Sequence, residues 1–191
     1  FADRTGFRRT QPTLTLAPRP GFLPFVRQTE HQIQFEYLTD LDNRLLTRNL
    51  DFTILQVNFE SGDNLSFQAG RGVERLDESF TIRGAGDDAL VIEPGDYTAT
   101  RWSVGGRTAG RRMLSAGGNL EKSDFWDGDR TQWSVSGTLR PRRGVALSSE
   151  YERNEVRLEQ GAFETNLVRV SGDWNLNPLT ALSANVQYDD V

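Results

Sequence analysis

The stretch from Thr131 to Arg140 reads TQWSVSGTLR. It places Trp133, Val135, Gly137 and Leu139 on one side and Gln132, Ser134, Ser136 and Thr138 on the other, the period-two split of a strand with two different surroundings. After a turn at Pro141 to Gly144, Val145, Leu147 and Tyr151 alternate with Ala146, Ser148, Glu150 and Glu152. Further on, Val168, Val170, Trp174 and Leu176 oppose Arg169, Ser171, Asp173 and Asn175. Beyond Asn177-Pro178-Leu179, Leu182, Ala184, Val186 and Tyr188 oppose Ser183, Asn185 and Gln187. Four consecutive segments thus keep one apolar and one polar side.

Earlier segments carry the same pattern less regularly. Ile33, Phe35 and Tyr37 alternate with glutamines and Glu36; Leu55, Val57 and Phe59 with Gln56 and Asn58; Leu65 and Phe67 with Ser66 and Gln68. Trp102 and Val104 oppose Arg101 and Ser103, and Leu114 and Leu120 oppose Ser115 and Asn119. With a first strand expected at 10–17, this makes about ten strands, most near the ~9–11 residues a tilted strand needs to cross a bilayer. The pattern predicts an all-β, antiparallel, up-and-down transmembrane β-barrel, these strands being a section of a larger one. A composition of 36% hydrophobic residues with a net charge of −5 does not oppose this, because a barrel needs only alternate residues apolar within a short band.

Connections at 60–64, 105–112, 140–144 and 177–179 read as short turns, and those at 38–49, 74–96, 121–130 and 152–164 as long loops. Alternation of this kind puts all short turns at one barrel end, as in outer-membrane barrels. Charge divides the same way: Arg107, Arg111, Arg112, Arg140, Arg142 and Arg143 crowd the short turns, whereas the long segments are predominantly acidic. Tyr37, Phe59, Trp133, Tyr151, Trp174 and Tyr188 fall near expected strand ends on the apolar side, where interfacial aromatics belong. The alternative for those aromatics is the core of a soluble extracellular β-sandwich acting as a binding module.

Several chemistries are excluded. Cysteine is absent and His31 is the sole histidine, which removes disulfides, thiol nucleophiles and the usual metal clusters. His31 is expected at a strand start beside Glu30 with no catalytic partner. The run Asp124-Phe125-Trp126-Asp127-Gly128-Asp129 lacks the spacing of a calcium loop and reads as a solvated turn. Gly105-Gly106 and Gly84-Ala85-Gly86 read as strand or loop glycines, since no helix follows to supply a phosphate site. No basic patch interleaved with aromatics suggests nucleic acid. We therefore expect no enzymatic activity, no cofactor and no metal.

The chain begins at Phe1 without a signal peptide and stops at Val191 in mid-pattern, so residues 1–191 are expected to be a single barrel section of a longer polypeptide. The stretches GFRRT (6–10), YLTDLDNRLLT (37–47), FESGD (59–63), PGDY (94–97), FWDGDR (125–130) and YERNEV (151–156), with QGAF (160–163) and TNLVR (165–169), resemble the C-terminal barrel of a family of uncharacterised bacterial outer-membrane proteins. Members of that family carry, ahead of the barrel, a domain resembling family-nine carbohydrate-binding modules. The resemblance implies a bacterial outer-membrane location and any carbohydrate contact outside this sequence; it assigns no site residue.

Expected partners are the lipid bilayer and either other protein chains or the missing remainder of the barrel. Two barrel functions follow. In a porin-like channel for small polar solutes or sugars, Gln56, Asn58, Arg101, Ser134, Glu150, Arg169, Asp173, Asn185 and Gln187 would line a polar lumen. In a membrane anchor for a binding domain or partner, the same large, oppositely charged side chains would fill the interior. The attached binding-type domain implied by the resemblance favours the anchor.

Overall fold

The structure is a computed structural model that describes residues 6–84, 89–177 and 179–190; Ala85 and Gly86 of the glycine run and Pro178 of the last turn lie outside them. The strands are β1 (Phe7–Thr10), β2 (Thr13–Leu16), β3 (Val26–Asp40), β4 (Leu45–Phe59), β5 (Asn64–Leu76), β6 (Phe80–Arg83), β7 (Leu90–Ile92), β8 (Gly95–Arg107), β9 (Leu114–Phe125), β10 (Gly128–Arg142), β11 (Val145–Leu158), β12 (Gly161–Asn177) and β13 (Thr180–Asp190). Eleven form one antiparallel sheet in the order β1-β3-β4-β5-β8-β9-β10-β11-β12-β13, with β2 also on β3, while β6 and β7 make a separate hairpin. The expected first strand is two short ones: Pro12 has no N–H to donate, and its carbonyl instead accepts the Phe35 N–H between them.

Register carries the two-sided pattern from strand to strand. The row Val135–Tyr151–Val168–Tyr188 runs across four strands, and so does Ser136–Glu150–Arg169–Gln187 one residue away. Extended backwards, that polar row passes through Gly117 and Arg107 to Asn64, which abuts the β4–β5 turn. The same row therefore starts beside a turn in β5 and lies well up β13, so the strands are inclined to the line of the turns, as they must be in a barrel. Very little of the sheet is a water-excluded core: among the described residues the buried hydrophobics are Val26, Leu46, Ile92, Ala109, Val156 and Leu158, whereas Val135, Leu147, Val170, Leu182 and Val186 are each half or more exposed or close to it. Among the described residues no second sheet covers that apolar face, unlike the two packed sheets of a β-sandwich.

Loop lengths differ from expectation. Three of the four segments read as long loops are strands carried on to tight turns, at Leu41–Arg44, Trp126–Asp127 and Glu159–Gln160. Alternating charged residues such as Glu152-Arg153-Asn154-Glu155 pair backbone as readily as apolar ones, so the ladder runs past the apolar band. Only residues 77–94 form a long excursion, and they contain the β6–β7 hairpin. Trp133 and Tyr151 accordingly lie inside β10 and β11 and not near their ends.

Within that extension the two faces exchange character without any break in register. On β11, Val145, Leu147 and Tyr151 are followed on their side by Arg153, Glu155 and Arg157, while Ser148, Glu150 and Glu152 are followed on theirs by Val156 and Leu158. The newly apolar inner side is covered by the β6–β7 hairpin, whose Ile92 packs on Val156 and Leu158 with Leu76, Tyr97, Phe125, Trp126 and Phe163 around them. Gln160 grips the hairpin through both Val91 backbone groups, at 3.0 and 2.7 Å, and the Arg83 guanidinium lies over the Phe163 ring. Trp126 adopts a φ of 55°, costly for a bulky side chain; edge contacts to Phe80, Tyr97 and Phe125 hold it there.

At the opposite end, Asp63 ties two turns together. Its carboxylate accepts from the Ser61 hydroxyl at 2.7 Å, the Ala109 N–H at 2.8 Å and the Arg112 guanidinium at 2.8 Å. The Ser61 hydroxyl first, then the Ala109 N–H and Arg112, hold its pKa below the ordinary carboxylate value. A depressed folded-state pKa adds stability that is present above the unfolded-state pKa and lost as pH falls through the folded one. Asp63→Asn should therefore be less stable than the parent at neutral pH, with the gap closing on acidification below about pH 4; denaturant midpoints at pH 7 and pH 3 measure it.

Candidate functional site

The polar face is the candidate site. Register puts Gln56 and Asn58 (β4), Arg101 (β8), Ser134 (β10), Glu150 (β11), Arg169 and Asp173 (β12) and Asn185 and Gln187 (β13) on one and the same face. Gln56, Asn58, Ser134, Glu150 and Arg169 are half-buried; Arg101, Asp173, Asn185 and Gln187 are exposed.

Charges on this face neutralise each other along the wall. Arg169 meets Glu150 at 3.0 Å, Arg130 meets Glu121 at 2.6 Å and Arg9 meets Glu36 at 2.6 Å, each pair joining adjacent strands. Arg101 reaches Asp51 across an intervening strand. That reach depends on Gly70 of β5, opposite both: a Cβ there would stand 2.3 Å from Asp51 Oδ1 and 3.0 Å from Arg101 Nε. The pair lies in a groove of about 240 Å³ shared with Gln32, Gln34, Gln68 and Glu121. Each of these pairs runs along the sheet, between strands that are neighbours or next neighbours in the ladder.

Asp51, Glu121 and Arg130 join this face although the alternation of the sequence does not mark them. Ile54 is an extra residue in β4, between Thr53 opposite Gln68 and Leu55 opposite Phe67. This bulge puts odd-numbered Asp51 and Thr53 on the same face as even-numbered Gln56 and Asn58, so simple alternation places Asp51 on the wrong side. His31 is not at a strand start but inside β3, opposite the bulge, and its Nδ1 lies 2.6 Å from the Ile54 carbonyl oxygen. Its role is to satisfy the bulged backbone. Asp124 of the acidic turn accepts the Thr100 N–H at 2.9 Å, and no group of three metal-ligating side chains occurs among the described residues. Gly105 and Gly106 are strand residues of β8.

Solved structures share this architecture. A loop L8 deletion mutant of OmpT, an outer membrane protein of Vibrio cholerae, superposes with a TM-score of 0.56 at 18% identity, over 86% of this chain and 58% of that one. OmpT folded in vitro gives 0.54 at 18% identity, over 86% and 54%. The fold is that of an outer-membrane β-barrel. The chain spans little more than half the length of the structures it matches. No family model matches it, and no curated protein does, so the resemblance to the carbohydrate-module-bearing family rests on its sequence motifs alone.

Gly70→Ala should part Asp51 from Arg101 at a modest cost to the fold, on the order of 1 kcal/mol. A double-mutant cycle with Asp51→Asn and Arg101→Gln is expected to give a coupling in the parent that is absent in the Gly70→Ala background.

Proposed function

We propose that this chain is a section of a barrel in the bacterial outer membrane, its apolar face in lipid and its polar face lining a path for small polar solutes. The observation that carries the reading is the direction of the ion pairs. Large charged side chains favour the filled interior of an anchor; their pairing along the wall supports the open one. A wall whose charges cancel locally gives little preference for either ion sign and suits neutral polar molecules.

Closure comes from further strands. β1, β2 and β13 each pair on one side only among the described residues, and lipid cannot satisfy an open strand edge. The remainder of the cylinder is supplied by other parts of a longer chain or by another chain. The end bearing the β6–β7 hairpin and the extended strands faces outward, and the Arg-rich turn end faces the periplasm, following the length asymmetry of such barrels. No catalytic role is proposed.

Arginine at Val170 or Val186 should cost about 2–4 kcal/mol of folding stability in vesicles near the bilayer midplane, whereas arginine at Ser171 or Gln187 should be tolerated. Equal tolerance on both faces would remove the membrane assignment. The full-length protein reconstituted in a planar bilayer should conduct with weak ion preference, and Arg101→Glu with Arg169→Glu should turn it toward cations. A protein that inserts correctly yet does not conduct is an anchor instead.

A further inference from the structure

The groove beside the Asp51–Arg101 pair is built from two adjacent rows of the ladder. One runs Gln34–Asp51–Gly70–Arg101 across β3, β4, β5 and β8, and the other Thr53–Gln68–Ser103–Glu121 across β4, β5, β8 and β9. Because Gly70 has no side chain, the first row is hollow between its two charges, and the space amounts to about 240 Å³. Phe52 and Trp102 border it but alternate to the apolar side of the sheet, so the inner wall consists of hydrogen-bonding groups and not of rings.

The charges in this groove are already paired. Asp51 Oδ1 accepts from Arg101, and Glu121 Oε1 accepts from Arg130 at 2.6 Å. Each pair uses one carboxylate oxygen, and among the described residues no hydrogen bond takes Asp51 Oδ2 or Glu121 Oε2. The side chains of Gln34, Thr53, Gln68 and Ser103 likewise make no hydrogen bond within the described protein. The groove therefore offers amides and hydroxyls that both donate and accept, beside carboxylate oxygens that only accept.

That mixture selects the chemistry of an occupant. An ion could find a counter-charge here only by parting a pair and leaving its other member uncompensated. A neutral solute keeps both pairs. Neighbouring hydroxyls on one molecule suit the remaining groups, because each hydroxyl gives one hydrogen bond and takes up to two. The volume lies below the ~300–1,000 Å³ of pockets for drug-sized ligands, which limits the occupant to a single small unit.

We propose that Gln34, Thr53, Gln68 and Ser103, with the second oxygens of Asp51 and Glu121, form a binding subsite for a neutral polyol, a monosaccharide or a sugar alcohol. The subsite rests on the reading of the polar face as a solute path and names the solute class it selects. Held by hydrogen bonds without ring stacking, the polyol binds loosely enough to leave again, as passage requires.

The test uses the full-length protein folded in dodecyldimethylamine oxide, a detergent without hydroxyl groups, with D-glucose, D-sorbitol and sodium glutamate as probes and saturation-transfer NMR to read binding. Glucose, sorbitol or both should bind saturably, and which of them binds shows whether the closed ring is required. Gln34→Ala and Gln68→Ala should each weaken that binding about fivefold, the effect of one hydrogen bond. Asn185→Ala, on the same face but outside the groove, should bind like the parent. Glutamate binding as tightly as the polyols, a lack of saturable polyol binding, or Gln34→Ala and Gln68→Ala variants that bind like the parent would each overturn the subsite. Conductance across a planar bilayer separates the two failures: polyol binding without conductance overturns the solute path, whereas conductance without polyol binding overturns the subsite alone.

Discussion

Every strand of this sheet has to suit the solvent on each side of it at each height. Where lipid lies outside, the outer side chains are apolar and the inner ones polar; where the strand rises into water, the outer ones become charged and the inner ones become a small core. A sheet in water throughout would keep its apolar face on one side. β11 changes sides between Tyr151 and Arg153 with its pairing to β12 unbroken from Val145 to Leu158, so the exchange follows the medium and not a register slip. The membrane boundary is written across the strand.

That exchange explains the β6–β7 hairpin. Once Leu76, Val156, Leu158 and Phe163 turn apolar on the inner side, they need cover, and the excursion between β5 and β8 provides it through Ile92. The strain at Trp126 follows from the same need: its ring completes the cover beneath the hairpin, and burial among three aromatic rings offsets a left-handed backbone that such a residue rarely adopts. The inner polar face lies below this cluster, with Arg9, Arg101, Arg130 and Arg169 each paired to a carboxylate.

Period two makes the long strands of the sheet and their two faces legible in sequence, and register places all nine residues expected on the polar side on one face. It does not show β6 and β7, which lie in a segment that reads as a loop, nor the division of the first strand into β1 and β2, and two further features are hidden as well. A charged run such as Glu152 to Glu155 has the composition of a loop, yet backbone pairing is indifferent to charge once both neighbours are extended, so hairpins run on past the point where hydrophobicity fades. Asp51 was hidden by the bulge at Ile54, because a single inserted residue inverts the parity of everything beyond it. His31 sits opposite that bulge to take up a displaced carbonyl, a role that no local signal in the sequence announces.

The two faces also handle charge differently, and the difference is physical. On the inner face Arg169 and Arg130 find a carboxylate on the next strand and Arg101 finds one beyond it, and in each pair one charge offsets the desolvation of the other. On the outer face a carboxylate at the belt would have no such shelter, and on β9 Asp124 stands farther from Leu120 than Lys122 does. Long cationic side chains can lie along apolar surface and lift their charge to the interface, whereas short carboxylates cannot. Along the outer side of β9 Leu120 is followed by Lys122 and then Asp124, the order of apolar residue, long cation and short acid in which a strand leaves a bilayer for water.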